Sequence, residues 1–148
     1  MNEVKKIMVP VDFSGNSQKI LQSAVMLAGK FQARLSVVFV VQSFDDYSGF
    51  FVPHIPISQF EEEMLQAAQR KMTAFVAENL TAAVPYDAKV LQGDVANEIL
   101  RYAEEAKIDL IVMGTHGYKG LEKVLFGSVA EKVVKMASCP VLTINPYR

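Results

Sequence analysis

Three runs that are apolar at nearly every position constrain this chain more than any other feature. They are Ile7-Met8-Val9-Pro10-Val11, Leu35-Ser36-Val37-Val38-Phe39-Val40-Val41 and Ile108-Asp109-Leu110-Ile111-Val112-Met113. A strand with one wet face alternates apolar and polar residues. A run without alternation suits a strand covered on both faces, as in a parallel sheet. Helical periodicity lies between the runs. Asp12-Phe13-Ser14 has capping chemistry and leads into a helix from about Asn16 to Phe31, with Ile20, Ala24, Leu27 and Phe31 on one face. Ser58 and Glu61 have capping-box spacing, and a second helix follows to about Asn79 with Met64, Ala68, Met72 and Phe75 on its buried side. Gly93-Asp94 opens a third helix through about Ala106, and Ser128 to Ala137 reads as a fourth. Tyr86 to Leu91 alternates more than the other strands and is expected at a sheet edge; Val141-Leu142-Thr143-Ile144 is a short last strand. The alternation implies right-handed βαβ crossovers, a parallel sheet with helices on both faces, and an α/β class. Ligands in such sheets sit beyond the carboxyl ends of the strands, where the strand order reverses. Residues just after the first, second and fourth strands are therefore the candidates for a site.

At 148 residues with 51% hydrophobic content, the chain is expected to form one domain, residues 1–148. Fifteen basic residues against sixteen acidic ones leave a net charge of -1 without a basic block, so nucleic-acid binding has no electrostatic support. The single cysteine, Cys139, excludes an internal disulfide, and two histidines, His54 and His116, make no zinc-like cluster. No apolar run approaches the roughly 20 residues that span a bilayer. The first residues lead into a strand rather than a signal-peptide core. The expectation is a soluble, cytoplasmic protein without membrane insertion. From Gln42 to Ile57 two prolines, a glycine and several aromatics break the pattern. This segment is too long for a mere connection; a lid, a surface for an unidentified protein partner and a mobile loop all remain open readings.

The chemistry is concentrated in a spaced glycine pattern. Gly114-Thr115-His116-Gly117 directly follows the third apolar run; nine residues, Tyr118 to Phe126, separate it from Gly127-Ser128-Val129 at the start of the fourth helix. Glycine lets a backbone approach a ligand closely, and free N–H groups at a helix N-terminus attract anions. Paired glycines after a strand are often only a turn. The second glycine at a helix start shifts the balance towards a phosphate cradle. Ser128 can cap that helix while its hydroxyl and the neighbouring N–H groups face a phosphate.

The whole chain resembles the universal stress protein family. The resemblance is carried by Ile7-Met8-Val9-Pro10-Val11-Asp12-Phe13-Ser14 and by the block from Asp109 to Ile144, including Leu125-Phe126-Gly127-Ser128-Val129 and Cys139-Pro140-Val141-Leu142-Thr143-Ile144. The family's nucleotide motif is two glycines three apart, nine residues, then glycine with serine or threonine, and this chain matches it without a gap. The resemblance implies a Rossmann-like ATP-binding fold, similar to adenine nucleotide alpha hydrolases, with five parallel strands ordered 3-2-1-4-5. It implies that Gly114, Gly117, Gly127, Ser128 and Val129 line the phosphates, and Thr115 and His116, between the first two glycines, are counted among the nucleotide-binding residues. Pro10, Val11 and Asp12, with the backbone of Val40, would hold adenine and ribose, and Met113 would pack near the ribose. Family members commonly dimerise through the last strand, so a homodimer through Val141–Ile144 is expected.

Several residues carry two readings. Asp12 is either a contact to adenosine or a metal, or an organiser of the turn into the first helix. His116 is a general base or phosphate ligand, or it fixes its loop; no paired carboxylate is visible, which favours the loop. Lys119 and Lys123 reach phosphates or are solvated. No lysine follows the last glycine, so this is not a Walker loop. Cys139 reads as a buried small residue rather than a reactive thiol. The leading expectation is an ATP-binding regulatory or stress-response domain, with Mg²⁺ held by phosphates and water. The alternatives are a slow ATPase or phosphotransferase acting on Ser128, Thr115 or an outside substrate, and an interaction module that ignores nucleotide. The choice between ATP and AMP, ADP or a cyclic nucleotide is open.

Overall fold

The computed structural model describes residues 3–43, 57–80, 84–115 and 127–148. The elements in chain order are β1 (Lys6–Pro10), α1 (Gly15–Phe31), β2 (Arg34–Gln42), α2 (Ile57–Asn79), β3 (Tyr86–Gly93), α3 (Val95–Glu105), β4 (Leu110–Gly114), α4 (Ser128–Met136) and β5 (Val141–Ile144). All five strands are parallel and form one sheet in the order β3-β2-β1-β4-β5. The expected α/β architecture and strand order are those observed.

The two faces of the sheet explain the apolar runs. Ile7, Val9, Leu35, Val37, Leu110 and Val112 point to one face, where they pack with Ile20, Leu21, Ala24, Met72 and Phe75 of α1 and α2. Met8, Val38, Ile111 and Met113 point to the other, against Ile99 and Ala103 of α3 and Ala130 and Val133 of α4. Successive strand residues alternate in direction, so an apolar core on both faces requires every position to be apolar. β3 occupies an edge, and its half-buried side chains account for its mixed pattern.

Some boundaries move for identifiable reasons. β4 starts at Leu110 rather than Ile108. The Ile108 N–H donates to the Ala103 carbonyl at 2.9 Å, closing α3, and Asp109 Oδ2 accepts the N–H groups of Lys5 and Lys6 at 2.9 Å each. Those two residues form a corner instead of strand. The buried stripe of α1 runs through Ser17, Ile20, Leu21, Ala24 and Ala28, so Phe31, expected on that face, is 43% exposed. It is the last helical residue, where Gln32 at φ 55 turns the chain away. On α2, Ala68, Met72 and Phe75 are buried and Met64 is half-buried. That helix begins at Ile57, so Ser58 is already helical and is not its cap. Most of the Gln42–Ile57 connection, residues 44–56, lies outside the described residues.

Candidate functional site

A single proline opens the sheet. β1 and β4 pair only as Ile7↔Leu110 and Met8↔Ile111. Either next rung of a parallel ladder, Val9 with Val112 or Pro10 with Met113, would need residue 10 to donate an N–H to the Val112 carbonyl. Proline has none. β1 and β4 therefore part where the strand order reverses, the place where open parallel sheets hold ligands.

A cavity of about 320 Å³ lies at this parting. Ile20 of α1 and Ile99 of α3, helices on opposite faces of the sheet, both line it. Pro10, Val11 and Asp12 line it from the end of β1, Met113, Gly114 and Thr115 from the end of β4, and Gly127, Ser128 and Val129 from the start of α4. These nine expected site residues are thus brought together. His116 and Gly117 lie outside the described residues, as do Lys119 and Lys123.

Among the described residues, a relay of backbone hydrogen bonds leads to the start of α4. Thr115 N–H donates to the Ile144 carbonyl, Gly127 N–H to the Thr115 carbonyl, and Glu131 N–H to the Gly127 carbonyl, each at 2.9 Å. Gly127 is the N-cap, and having no side chain it makes no capping bond. Ser128 is the first helical residue, so the expectation that its side chain caps α4 is corrected. The first N–H groups of α4 belong to residues that line the cavity, where the helix dipole favours an anion. Gly127 has φ -64, an ordinary value, so its backbone does not itself require glycine. Among the described residues, a Cβ there would meet only the Thr115 carbonyl oxygen, at 3.4 Å. What distinguishes glycine at this position is that it lines the cavity with no side chain to fill it.

Asp12 organises the turn into α1. Its Oδ1 accepts the Ser14 N–H at 3.0 Å, the Ser14 hydroxyl at 2.5 Å and the Ser17 hydroxyl at 2.7 Å. Its own N–H donates to Ser17 Oγ at 2.8 Å. Ser14 caps α1 by accepting the Ser17 N–H. Between them Phe13 takes φ 66, a costly conformation for a bulky residue. Its ring packs on Phe39 at 4.4 Å and Phe75 at 5.6 Å between centroids, contacts that help offset the strain. The turn-organising reading of Asp12 therefore holds, and the residue also lines the cavity.

Val40 lies apart from the others. It borders a second, larger space of about 750 Å³ between β2 and α2, lined also by Asp12, Phe13, Phe39, Met64 and Phe75. Arg34 N–H donates to Lys5, and the Val38 carbonyl accepts from Val11, so even-numbered residues of β2 direct their backbone groups towards β1. Val40 comes two residues later, and its N–H and carbonyl point past the end of β1. That direction suits backbone recognition of an edge-on ring.

Asn16, Ser17, Val95 and Ala130 also line the first cavity and are absent from the expected set. Asn16 and Ser17 were findable as the first turn of a helix starting beside Asp12; Val95 and Ala130 depend on tertiary placement. Cys139 precedes β5, at the amino edge of the sheet, away from both cavities. It is half-buried rather than buried as expected; that partial burial, helped by the Asp109 carboxylate, pushes its thiol up, which favours the protonated form.

The model of the universal stress protein family matches residues 3–145. A universal stress protein of Methanocaldococcus jannaschii is 39% identical over 151 residues, covering 97% of this chain and 84% of that protein. The structure of universal stress protein UspA from Lactobacillus plantarum superposes with a TM-score of 0.76 at 30% identity, over 98% of this chain and 100% of that one. Two more distant structures share the fold: an Archaeoglobus fulgidus universal stress protein in complex with dAMP, and a universal stress protein in complex with cAMP. Both are 21% identical, with TM-scores of 0.69 and 0.62; they cover 97% and 98% of this chain and 100% and 99% of theirs. By sequence over nearly its whole length and by fold, the chain belongs to the universal stress protein family.

Proposed function

We propose that the protein is an adenine-nucleotide-binding regulatory domain of the ATP-binding branch of its family, acting in a stress response. The observation that carries this is the N-terminus of α4, without a side-chain cap, opening into the cavity where β1 and β4 part. Backbone N–H groups of Ser128, Val129 and Ala130 would take phosphate oxygens, and Gly127 leaves room for them. Pro10, Val11, Asp12 and Met113 would border the ribose, and the Val40 backbone would meet the base. The cavity volume falls in the roughly 300–1,000 Å³ range of small-molecule sites. No cluster of three metal-ligating side chains forms among the described residues, so Mg²⁺ would ride on phosphate oxygens and water. The dAMP and cAMP complexes of family members support the adenine class. They also favour a second reading, a monophosphate ligand.

Nucleotide occupancy would control shape or partner affinity rather than drive turnover, since no lysine follows Gly127-Ser128 to act on a transferred phosphoryl group. β5 ends the sheet with Leu142 41% exposed, and pairing of Val141–Ile144 with a second copy about a twofold axis would cover this edge. No described helix is long and apolar enough to cross a membrane. The decisive experiment is mass spectrometry of nucleotide released from freshly purified, denatured protein, with ATP calorimetry in the presence and absence of Mg²⁺. ATP or ADP in the released fraction supports the leading reading, AMP or cAMP the second. No nucleotide, and no heat at millimolar ATP, would remove both. Steady-state phosphate release should stay below about 1 per second, the lower end of ordinary enzymes. Light scattering on the wild type and on a chain truncated after Ala137 tests the dimer; a wild-type monomer at tens of micromolar excludes it.

A further inference from the structure

The two cavities share one lining residue. Asp12 borders both the space at the α4 N-terminus and the larger space between β2 and α2. A ligand with its anionic end in the first and its ring in the second must pass Asp12 at its middle, which in a nucleotide is the sugar. The carboxylate there is asymmetric. Three donors converge on Oδ1, whereas Oδ2 accepts no hydrogen bond among the described residues. One of those donors is the hydroxyl of Ser17, which also accepts the Asp12 N–H. Ser17 is only 6% exposed and lines the first cavity. It thus grips Asp12 at two points, backbone and side chain, and leaves the carboxylate little rotation about its side-chain bonds.

Resting on the adenine-nucleotide reading, we propose that Ser17 is a positioning residue that turns the remaining oxygen of Asp12 to a sugar hydroxyl, making the site selective for ribose. A carboxylate oxygen accepts only, so it favours a hydroxyl, gains nothing from a deoxy position and repels a phosphate placed there. A site built around such a bond loses more by leaving its polar group unmatched than a merely apolar wall would. Ser14 contributes two of the three bonds, but it also caps α1, so its removal would mix selectivity with helix stability.

The test is calorimetric affinity for ATP, 2′-deoxy-ATP and 3′-deoxy-ATP on the full chain. Wild type should bind at least one deoxy analogue about tenfold more weakly than ATP, the size of a hydrogen bond to a charged group. Ser17→Ala should lower that ratio to about threefold or less while ATP still binds, and Ser17→Thr, which keeps the hydroxyl, should restore it. Asp12→Asn keeps an acceptor for Ser14 and Ser17 but replaces the charged acceptor at the sugar with a neutral amide, whose bond to a hydroxyl is weaker, so it should lower the ratio to about threefold or less whether or not the Ser17 variants fold. Wild type binding all three nucleotides equally would overturn the inference and leave the nucleotide reading standing. An undiminished ratio in a folded Ser17→Ala would reduce Ser17 to a turn residue. Wild type binding none of them would remove both.

Discussion

The helices α3 and α4 pack on the same face of the sheet, yet their beginnings are finished in opposite ways. At α3 the Asp94 carboxylate accepts the Asn97 N–H at 3.0 Å, and Gly93, at φ +146, turns the chain out of β3. Its end is satisfied within the protein. At α4 the cap is Gly127, which makes no side-chain capping bond and whose N–H donates to the Thr115 carbonyl. Helix N-terminal N–H groups need acceptors from somewhere. Where a side chain supplies one, the helix gains about 1 kcal/mol and the end is closed to other anions. Where none does, that stabilisation is forgone and the end stays available. The difference marks α3 as a helix start finished by its own chain, and α4 as the start at which the proposed phosphate site lies.

The largest effect that would break this contrast comes from filling the space beside Gly127. Gly127→Val keeps an allowed backbone angle but projects a branched side chain towards the cavity. Its ATP affinity should fall by about 100-fold or more, comparable to losing one or two charge-assisted hydrogen bonds, while the protein remains folded by circular dichroism. Unchanged affinity would show that the opening is incidental. A smaller effect should appear at the other helix. Asp94→Ala removes the cap of α3 and should lower stability by about 1 kcal/mol, or roughly 2–4 °C in melting temperature. ATP affinity should stay within about twofold by calorimetry. A large affinity loss there would mean that the two helix starts are not functionally distinct. The smallest effect is expected on the outer surface of α3, where Arg101 pairs with Glu98 and Glu105. These are solvent-screened helix pairs, so Arg101→Ala should leave the midpoint of denaturant unfolding unchanged within error.

Much of this architecture is legible in the residues. The apolar runs announce strands buried on both faces, and the glycine spacing points to the turn after β4 and the start of α4. Asp94 as a helix opener and Val141–Ile144 as the last strand are read directly. Other features depend on neighbours that the linear chain does not identify. Pro10 is one apolar residue among several until β4 is known to lie beside β1; only then does its missing N–H become a gap in the sheet. Ser128 looks like a cap because serine usually is one. The position shifts by one residue because the Thr115 carbonyl captures the Gly127 N–H, which makes the glycine the boundary. Phe31 completes a helical stripe on paper, but the helix ends before that stripe meets further core. The role proposed for Val40 rests on which side of β2 its backbone faces, and that follows from ladder register rather than from side-chain type.

The most direct test transplants the finish of one helix onto the other. Gly127→Asp gives α4 the cap that Asp94 gives α3, and places a carboxylate where the account puts phosphate. Titration of ATP with Mg²⁺ into wild type and this variant, alongside their melting curves, reads both consequences at once. Wild type should bind, Gly127→Asp should show no measurable binding, and the variant should be as stable as wild type or more stable by about 0.5 kcal/mol, since a side-chain cap and a negative charge both favour a helix N-terminus. Equal ATP affinity in the two folded proteins, or no binding by wild type at millimolar ATP, would contradict that account.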